Sequence, residues 1–310
     1  MGSSTSPYFV HPQGLCETTS VGPNTRIWAF AHVLKGAVLG RDCNVCDGVF
    51  IEADVVVGDE TTIKNGVQLW DGVRLGNRVF VGPNATFTND RFPRSKHHLP
   101  AYPKTTVKDG ASIGANATIT PGITIGEAAM IGAGAVVLDD VPARAIVAGN
   151  PGRVVGYAEA ESVELDGLPK HFLARAIGSK VKVDDRGRLA ATEFLDLPFM
   201  PQRLFTLYRV AANRARGGHA HRDCSQIICA SAGTVRCALD DGETAYQIVL
   251  QDPSTAIFVP PGVWVLLFGF ADNAVVTVLA SHPYSSADYI NDYSEFLRSK
   301  MSGAEKSGLE

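Results

Sequence analysis

A six-residue hydrophobic repeat governs the first half of this chain. From residue 21 to 87, and again from 107 to 137, every sixth residue is large and apolar. Neither an α-helix, with 3.6 residues per turn, nor a half-buried strand, with period two, produces this spacing. Short strands that are joined by tight corners and stacked into a solenoid do produce it.

The corners of such a solenoid are visible as a second repeat. Four glycines recur at intervals of eighteen residues: Gly22, Gly40, Gly58 and Gly76. Glycine tolerates a positive φ and a close approach of backbones, so this recurrence predicts one corner in each coil. An eighteen-residue coil has three six-residue sides, which predicts a triangular β-solenoid of about six coils.

Bulk properties exclude several classes of partner. The net charge is -4 and the pI is near 6.1, so the charge balance gives no indication of nucleic-acid binding. No apolar run reaches the ~20 residues of a membrane span, and residues 1–7 do not resemble a secretory signal. Of the six cysteines, Cys43 and Cys46 have the spacing of a metal or redox pair, but no second pair completes a zinc site. The thiols favour a reducing, cytoplasmic location.

The second half of the chain has a different sequence pattern. Short strand-like runs alternate there with turn signals, and they occupy residues 204–210, 226–230, 234–238, 246–250, 256–259, 264–268 and 274–280. Many short strands at regular spacing predict a β-sandwich or small barrel, followed here by a helix over 286–300. We therefore expect one domain at 8–156 and another at 178–300, with a linker at 157–177.

A loop must leave the solenoid between Phe87 and Val107, because the twenty-residue gap is not a multiple of six. The loop carries amide, carboxylate, guanidinium and imidazole groups, and irregular loops on a rigid scaffold often carry function. It begins with Asn89 and Asp90 and continues through Arg91 to Arg94 and two histidines, at 97 and 98.

These features resemble the left-handed β-helix acyltransferases. The run Gly-Pro-Asn-Ala-Thr-Phe-Thr-Asn-Asp-Arg-Phe-Pro-Arg at 82–94 is similar to that of nucleotide-sugar N-acetyltransferases acting on a 3-amino-3,6-dideoxyhexose. The resemblance covers roughly residues 8–156 and includes the closing Ala-Gly-Asn-Pro-Gly-Arg segment. It implies a homotrimer, with acetyl-CoA as co-substrate in the groove between neighbouring coils. The left-handed crossovers would be an exception to the usual right-handed rule.

The same resemblance implies roles for individual residues. Asn89 would hold the sugar near its amino group, and Asp90 would help to place it. Further substrate contacts are expected from Asn84, Arg91 and Arg94. Coenzyme A contacts are expected on later coils and on the closing segment, at Ala133, Ala135, Arg144, Asn150, Pro151 and Arg153. The group that would take the proton from the attacking amine stays open between Asp90, His97, His98 and no protein base at all.

A γ-class carbonic anhydrase shares this type of solenoid and is a further alternative. Such an enzyme needs three zinc histidines across a subunit interface. The spacing of His32, His97 and His98 does not match that requirement.

A second candidate site lies in the run Arg-Gly-Gly-His-Ala-His-Arg at 216–222. If this run is a strand, His219 and His221 point to the same face, because side chains alternate. Such a pair suits proton transfer or metal binding. A cupin metal site would need a glutamate and a third histidine, but Gln226 and Val265 stand in those places. The sequence therefore predicts a site without a metal.

That run, with Pro-Pro-Gly-Val-Trp at 260–264 and Asp-Tyr-Ile-Asn-Asp-Tyr at 288–293, resembles the cupin 3,4-ketoisomerases of dTDP-4-keto-6-deoxyglucose. The resemblance spans nearly 180–297. It departs from the family pattern at Val265, where a histidine is expected, and at 204–208, where more tyrosines are expected.

Ketoisomerisation needs a base at C3, an enediolate and reprotonation at C4, and histidine suits both proton steps. The resemblance implies that His221 is the base and His219 its partner, with Tyr208 as the acid. Arg216 would stabilise the enediolate oxygen or the pyrophosphate. Three other residues are expected to contact the substrate: Arg222, Gln226 and Trp264.

The two halves together resemble a WxcM-like bifunctional enzyme with an all-β architecture, a left-handed parallel β-helix followed by a cupin (jelly-roll) barrel. Ketoisomerisation and acetylation would flank a transamination by a separate PLP enzyme and supply a dTDP-3-acetamido-3,6-dideoxyhexose for a surface polysaccharide such as O-antigen. Trimeric solenoids and paired cupins imply a hexamer. Two alternatives remain, an acetyltransferase with a non-catalytic sugar-binding cupin, and a metal-dependent cupin oxygenase on a structural solenoid. The C4 configuration stays open.

Overall fold

The structure is a computed structural model that describes residues 7–307, with side chains described as far as residue 301. Contacts between Cα atoms divide the chain into two units, and the division falls between Ala158 and Glu159. None of the helices in the described range has the length and apolar character that a membrane span requires.

The first unit consists of very short strands that follow one another at regular intervals. They are β1 (Phe9–Val10), β2 (Leu15–Cys16), β3 (Arg26–Ile27), β4 (His32–Val33), β5 (Val38–Leu39), β6 (Asn44–Val45), β7 (Phe50–Ile51), β8 (Val56–Val57), β9 (Thr62–Ile63), β10 (Gln68–Leu69), β11 (Val73–Leu75), β12 (Phe80–Val81), β13 (Thr86–Phe87), β14 (Thr105–Val107), β15 (Ser112–Ile113), β16 (Thr118–Ile119), β17 (Thr124–Ile125), β18 (Met130–Ile131), β19 (Val136–Val137), β20 (Ala145–Ala148) and β21 (Arg153–Tyr157).

These strands form the three faces of a β-solenoid, which confirms the predicted architecture. Nine strands lie on the face that starts with β1, seven on the face of β2 and five on the face of β5. Most neighbouring strands on a face are parallel and eighteen residues apart, as in the pairing of Arg26 with Asn44, whereas the last pair, β20 and β21, is antiparallel. The apolar six-residue repeat is buried inside from Ile27 to Val137. One coil more than predicted precedes the repeat, because β1 and β2 pair with β3 and β4.

The corner glycines act through close contact between coils. A Cβ atom on Gly22 would lie 2.4 Å from the backbone nitrogen of Arg41, and one on Gly58 would lie 2.5 Å from the backbone of Gly76. The positive φ angles of these corners belong to other residues, such as Asn24 with a φ of 63°. Glycine is therefore required here because there is no room for a side chain.

The predicted loop leaves the solenoid after β13 and returns at β14. Thr86 of β13 pairs with Thr118 of β16, which is fourteen residues beyond the regular eighteen-residue register. Nearly all of residues 91–104 are exposed. The returning end is anchored, because Thr105 donates a backbone hydrogen bond to the carbonyl of Gly72 at 3.0 Å.

The second unit has longer strands and one α-helix. They are β22 (Glu161–Ser162), β23 (Arg175–Gly178), β24 (Lys180–Asp184), β25 (Gly187–Ala191), β26 (Arg203–Tyr208), β27 (Arg216–His221), β28 (Gln226–Ala232), β29 (Val235–Asp240), β30 (Ala245–Leu250), β31 (Thr255–Val259), β32 (Trp264–Phe268), β33 (Val275–Ala280), β34 (Tyr289–Ile290) and α1 (Tyr293–Ser307).

Two sheets enclose the core of this unit. The order of the six-stranded sheet is β22-β30-β29-β32-β27-β34, and that of the five-stranded sheet is β23-β31-β28-β33-β26. Buried residues of both sheets form one apolar cluster, to which Val276 and Val278 contribute from one sheet and Leu239 and Ile248 from the other. The expected sandwich or barrel of short antiparallel strands is confirmed, and β24 with β25 forms a separate hairpin.

Two predicted segments differ from the structure. Residues 157–177, which we expected to be a linker, contain β22 and the start of β23, and both strands pair with the second unit. The predicted end of the first domain at residue 156 and the predicted start of the second at residue 178 stay predictions. The helix begins at Tyr293 rather than at 286, because Tyr289 and Ile290 are held as a strand against β27.

An aromatic cluster fixes helix α1 to the sandwich. The ring of Trp264 packs edge-on against Tyr293 at 5.1 Å and also contacts Phe296. The Tyr293 hydroxyl donates a hydrogen bond of 2.6 Å to the buried carboxylate of Asp240. Removing a donor from a buried charged acceptor leaves that acceptor poorly satisfied.

We therefore expect Tyr293→Phe to lower the free energy of unfolding of the second unit by about 1.5–3 kcal/mol, the range for a hydrogen bond to a charged group. Urea denaturation followed by tryptophan fluorescence measures this loss in a chain whose first-unit tryptophans, Trp28 and Trp70, are replaced by Phe, so that Trp264 alone reports. The exposed Tyr284 supplies the matched control, and Tyr284→Phe should change stability by less than about 0.5 kcal/mol. Equal losses in the two variants would contradict the role given to this hydrogen bond.

Candidate functional site

The histidine run forms β27, at one wall of a cavity between the two sheets of the second unit. Gly217 has a φ of 85°, and a Cβ atom there would lie 2.5 Å from the carbonyl of Val265 on β32. The glycine therefore allows the kink that separates Arg216 from His219. The cavity has a volume of about 360 Å³, and its polar lining residues are Arg203, Arg216, His219, Gln226 and Tyr289.

His221 is held by hydrogen bonds on both ring nitrogens. It is only 7% exposed. Its Nδ1 lies 2.6 Å from a carboxylate oxygen of Asp288, and its Nε2 lies 3.0 Å from the side-chain nitrogen of Gln226. An ionised carboxylate can only accept, so Nδ1 carries the proton and donates to Asp288. In the neutral ring Nε2 then has the lone pair, which accepts the hydrogen bond from Gln226 and can take a proton once Gln226 is displaced.

Asp288 is prepared for this role by its surroundings. Burial raises its pKa, but the backbone N–H of Asp223, the ring of His221 and the N–H of Cys224 together outweigh burial and hold the pKa below its ordinary value. The N–H of Asp223 donates at 2.7 Å to the oxygen that His221 does not use. The carboxylate is therefore ionised and fixes both the tautomer and the orientation of His221.

His219 stays uncharged beside this pair. Burial, followed by the proximity of His221, lowers the pKa of His219 to about 4. The two imidazole rings lie 5.1 Å apart. The ring of Tyr289 contacts both, with centroids 4.7 Å from His219 and 4.4 Å from His221. A neutral imidazole can donate a hydrogen bond to a developing oxyanion without the repulsion that a second charge would cause.

The structure brings some of the predicted residues together and separates others. His219, His221, Arg216 and Gln226 meet at or beside the cavity. Tyr208 does not, because alternation along β26 turns it away from Arg203, Phe205 and Leu207, and it is 64% exposed.

Two predicted substrate contacts also lie outside the cavity lining. Trp264 is 1% exposed and packs against helix α1, while its neighbour Val265 faces the cavity. Arg222 is exposed and forms an ion pair with Glu295. The strand periodicity of two thus directs Tyr208 and Trp264 away from the cavity, and Arg222 follows the end of β27; the roles expected for these three residues stay predictions.

Three residues of this site were not predicted from the sequence. Asp288 and Tyr289 belong to the run at 288–293 that supported the resemblance, so that run could have identified them as site residues. Arg203 enters the cavity from β26 and stacks over Phe205 and over the exposed ring of Tyr284. Its alternation with Phe205 and Leu207 could have identified the inward face of that strand.

A metal-ligand geometry also exists around His221, within the part of the chain that the structure describes. The ligand atoms of His221, Cys224 and Asp288 lie within 4.8 Å of one another. The hydrogen bonds already described occupy the histidine and the carboxylate, and the Cys224 thiol donates to the carbonyl of Ser225. These three groups are arranged as a hydrogen-bonded set that orients His221.

In the first unit, the loop after β13 contains four of the predicted substrate-binding residues. Asn89 and Asp90 stand at its start and are partly buried, and Asp90 accepts a backbone hydrogen bond from Phe92 at 2.8 Å. Arg91 and Arg94 are exposed. Asn84 lies apart from this group, because it forms the corner that precedes β13, with a φ of 56°.

The predicted coenzyme A residues gather mostly at the last coils. Ala133 is exposed at a corner, and the β20–β21 turn with Asn150, Pro151 and Arg153 closes this end. The turn touches the coil of Ala133, because the N–H of Gly152 donates to the carbonyl of Val136 at 2.8 Å.

Two of the predicted coenzyme A residues are engaged elsewhere. Ala135 is fully buried inside the solenoid, where its side chain cannot line a groove. The guanidinium of Arg144 donates to the carbonyl of Ala158 at 2.8 Å and lies over the ring of Tyr157. The structure therefore gives Ala135 a packing role, and it gives Arg144 a role in closing the solenoid.

Comparison with known proteins assigns each half of the chain to a family. Residues 175–301 match the family model described as WxcM-like, C-terminal. Residues 18–53, 54–89 and 104–139 match the bacterial transferase hexapeptide model of six repeats.

Two relatives each match one half of the chain. A dTDP-3-amino-3,6-dideoxy-alpha-D-galactopyranose 3-N-acetyltransferase from Aneurinibacillus thermoaerophilus is 53% identical over 157 residues, which are 51% of this chain and 82% of that protein. A TDP-4-oxo-6-deoxy-alpha-D-glucose-3,4-oxoisomerase from the same organism is 34% identical over 123 residues, 39% of this chain and 88% of that protein. A solved sugar 3,4-ketoisomerase from Thermoanaerobacterium thermosaccharolyticum in complex with TDP is 29% identical, with a TM-score of 0.41, over 43% of this chain and 97% of that chain.

The lowered pKa of His219 predicts a pH-dependent stability of the second unit. Between pH 6.5 and about 4 the unfolded chain binds a proton at this histidine and the folded chain does not, so stability falls as the pH falls. One such proton changes the free energy of unfolding by about 1.4 kcal/mol per pH unit. The lowered pKa of Asp288 adds stability that is lost only below its ordinary value of 3.8.

Urea denaturation at several pH values measures this slope, again followed by Trp264 fluorescence in a chain with Trp28 and Trp70 replaced by Phe. In His219→Gln we expect the slope between pH 4 and 6.5 to be smaller by about one proton. His97→Gln, which removes an exposed loop histidine of the other unit, should retain the wild-type slope. A His219→Gln slope that equals the wild-type slope would show that His219 titrates normally in the folded protein.

Proposed function

The chain belongs to the WxcM-like proteins through its second unit and to the hexapeptide-repeat sugar 3-N-acetyltransferases through its first, and from this membership we propose how its residues perform two reactions. The chain is a bifunctional enzyme. Its second unit isomerises dTDP-4-keto-6-deoxyglucose to the 3-keto sugar, and its first unit acetylates the 3-amino group of a dTDP-3-amino-3,6-dideoxyhexose with acetyl-CoA.

The observation that carries the isomerase mechanism is the 2.6 Å hydrogen bond between His221 Nδ1 and the Asp288 carboxylate, from which the tautomer of His221 follows. Asp288 accepts the Nδ1 proton, so Nε2 is basic and takes the proton from C3 of the sugar. The electrons of the broken C3–H bond form the C3=C4 double bond, and the carbonyl electrons move to O4. Gln226, which donates to Nε2 in the free enzyme, would yield this position to the substrate.

The remaining groups of the cavity stabilise the enediolate and return the proton. Neutral His219 would donate a hydrogen bond to the developing oxyanion, and Arg216 would add a positive charge. Tyr289, in contact with both histidines, replaces Tyr208 as our candidate for proton transfer between O3 and O4. The protonated His221, once it has exchanged its proton with solvent, would then give a proton to C4 as the O3 proton moves to O4, which leaves the ketone at C3 and returns His221 to its neutral form. Arg203 would bind the diphosphate at the cavity wall.

The acetylation step needs less chemistry from the protein. The amine nitrogen of the sugar forms a bond to the acetyl carbon, the carbon–sulfur bond breaks, and a proton passes from the amine to the departing thiolate. Asn89 would orient the amine, and Asp90 would help to place the sugar. Ala133, Asn150, Pro151 and Arg153 would contact coenzyme A at the last coils.

The two reactions also imply partners outside this chain. The 3-keto product must gain an amine before it can be acetylated, so a separate PLP-dependent aminotransferase would act between the two sites. The product would supply a surface polysaccharide, and the enzyme would work in the cytoplasm. A trimer of solenoids with paired cupins would give a hexamer.

Separate loss of the two activities tests the bifunctional assignment. We expect His221→Asn to lower ketoisomerase kcat by about 10²- to 10⁴-fold, the range for a general base, and to leave acetylation unchanged. Asn keeps a donor for Asp288, so the fold of the cavity is retained. Asn89→Ala should lower acetylation and leave isomerisation unchanged. Product formation from each sugar nucleotide, separated by chromatography, measures both rates.

Full isomerase activity of His221→Asn would contradict the role of this base. An inactive wild-type cupin that still binds TDP would favour the alternative of a sugar-binding module. Metal analysis of protein purified without chelators addresses the oxygenase alternative, and a stoichiometric metal that the isomerase requires would contradict the mechanism above.

A further inference from the structure

Three aromatic side chains form a continuous row on the outside of the solenoid. His32 of β4 pairs with Phe50 of β7 in the adjacent coil, and their rings are 5.7 Å apart. The ring of Trp70, which follows β10, lies 5.5 Å from that of Phe50. All three side chains keep part of their surface in solvent. We call His32, Phe50 and Trp70 the aromatic row.

The aromatic row ends at the base of the loop that carries Asn89. Gln68 of β10 pairs with Thr86 of β13, so Trp70 lies one coil below the point where the loop begins. The loop also returns beside Trp70, because Gly72 lies so close to Pro103 that a Cβ atom would be 2.6 Å from its carbonyl oxygen. Trp70 is therefore next to both ends of the loop.

The direction of the substrate follows from the order of the coils. Coenzyme A contacts are proposed on the coils after the loop, so the sugar amine must face that end from Asn89. The rest of the sugar nucleotide must then extend the other way, over the coils of Trp70 and Phe50. Strands on one face are about 4.8 Å apart, which places Phe50 roughly 10 Å from the strand that leads into the loop.

Charge on the loop matches the middle of such a substrate. Residues 88–104 contain four basic side chains against a single carboxylate, that of Asp90; the basic residues are Arg91, Arg94, Lys96 and Lys104. Guanidinium and ammonium groups bind phosphate oxygens through charge-assisted hydrogen bonds. A diphosphate that lies under the loop would place the nucleoside over the aromatic row.

We propose that Trp70 and Phe50 form the subsite for the nucleobase of the sugar nucleotide that the first unit acetylates. Bases stack on aromatic side chains whose rings are partly exposed and held in place. His32 extends the row and is itself fixed by Glu17, whose carboxylate lies 2.9 Å from its Nε2. Gln68 is exposed, lies in the same coil as Trp70 and pairs with Phe50 in the strand register, so its amide is near enough to meet the polar edge of a stacked base. This inference rests on the acetyltransferase function proposed above.

Steady-state acetylation of a dTDP-3-amino-3,6-dideoxyhexose by the full chain tests the subsite. We expect Trp70→Ala and Phe50→Ala each to raise the KM for the sugar nucleotide roughly ten- to one-hundred-fold, the range for loss of one stacked base. Because the base is remote from the reacting amine, kcat should change by less than about two-fold. Trp70→Phe keeps an aromatic face and should restore KM to within about three-fold of wild type.

Phe80 supplies the matched control. It is an outward-facing aromatic residue of the same solenoid, 41% exposed, but it belongs to a different face. Phe80→Ala should leave both KM and kcat at the wild-type values. A normal kcat in the Trp70 and Phe50 variants shows that the first unit has folded, since acetylation requires it.

The outcomes separate this inference from the function on which it rests. A wild-type enzyme that acetylates, with an unchanged KM in Trp70→Ala and Phe50→Ala, would overturn the nucleobase subsite and leave the acetyltransferase intact. Loss of kcat together with a smaller particle in light scattering would show that the aromatic row packs against a second copy of the chain, and would also overturn the subsite. A wild-type enzyme without acetylation would overturn both proposals.

Discussion

Backbone hydrogen bonding between successive coils is the constraint on which the first unit depends. All strands of this unit except the last two, β20 and β21, contribute only two or three residues, so no coil could be stable alone, and stacking provides both the partners and the buried core. The eighteen-residue register forces residues at equivalent positions into rows along the axis. The aromatic row of His32, Phe50 and Trp70 results from that register, and so does its position beneath the loop.

A different constraint organises the second unit, where side chains alternate across each strand. On β27 this alternation sends His219 and His221 to one side, and on β32 it separates Val265 from Trp264. The cavity then needs one feature from outside the strands, the short segment that brings Asp288 to His221. The two units therefore form their sites in different ways. The solenoid arranges side chains in rows on its surface, and the sandwich encloses side chains around a cavity.

Much of this architecture was predictable from the sequence, for identifiable physical reasons. The period of six is visible because each position of the six-residue repeat is buried and apolar, from Ile27 to Val137. Glycine at residues 22 and 58 was correctly associated with corners, although steric contact and not φ explains it. The alternation of β27 likewise placed His219 and His221 on one face. Tyr208 and Trp264 were expected at the site but lie outside the cavity lining, because the chemical type of a residue does not reveal which face of a strand is inward. Asp288 was missed since its contact with His221 spans 67 residues of sequence.

Proton NMR of dTDP-4-keto-6-deoxyglucose with the full chain in deuterated water tests the central claim most directly. If His221 removes the C3 proton and the enediolate is reprotonated at C4, the product is a 3-keto sugar that carries solvent deuterium at C4. Its coupling constants also give the C4 configuration. An unchanged spectrum from folded wild-type protein would contradict the isomerase mechanism and leave the acetyltransferase as the only activity of the chain.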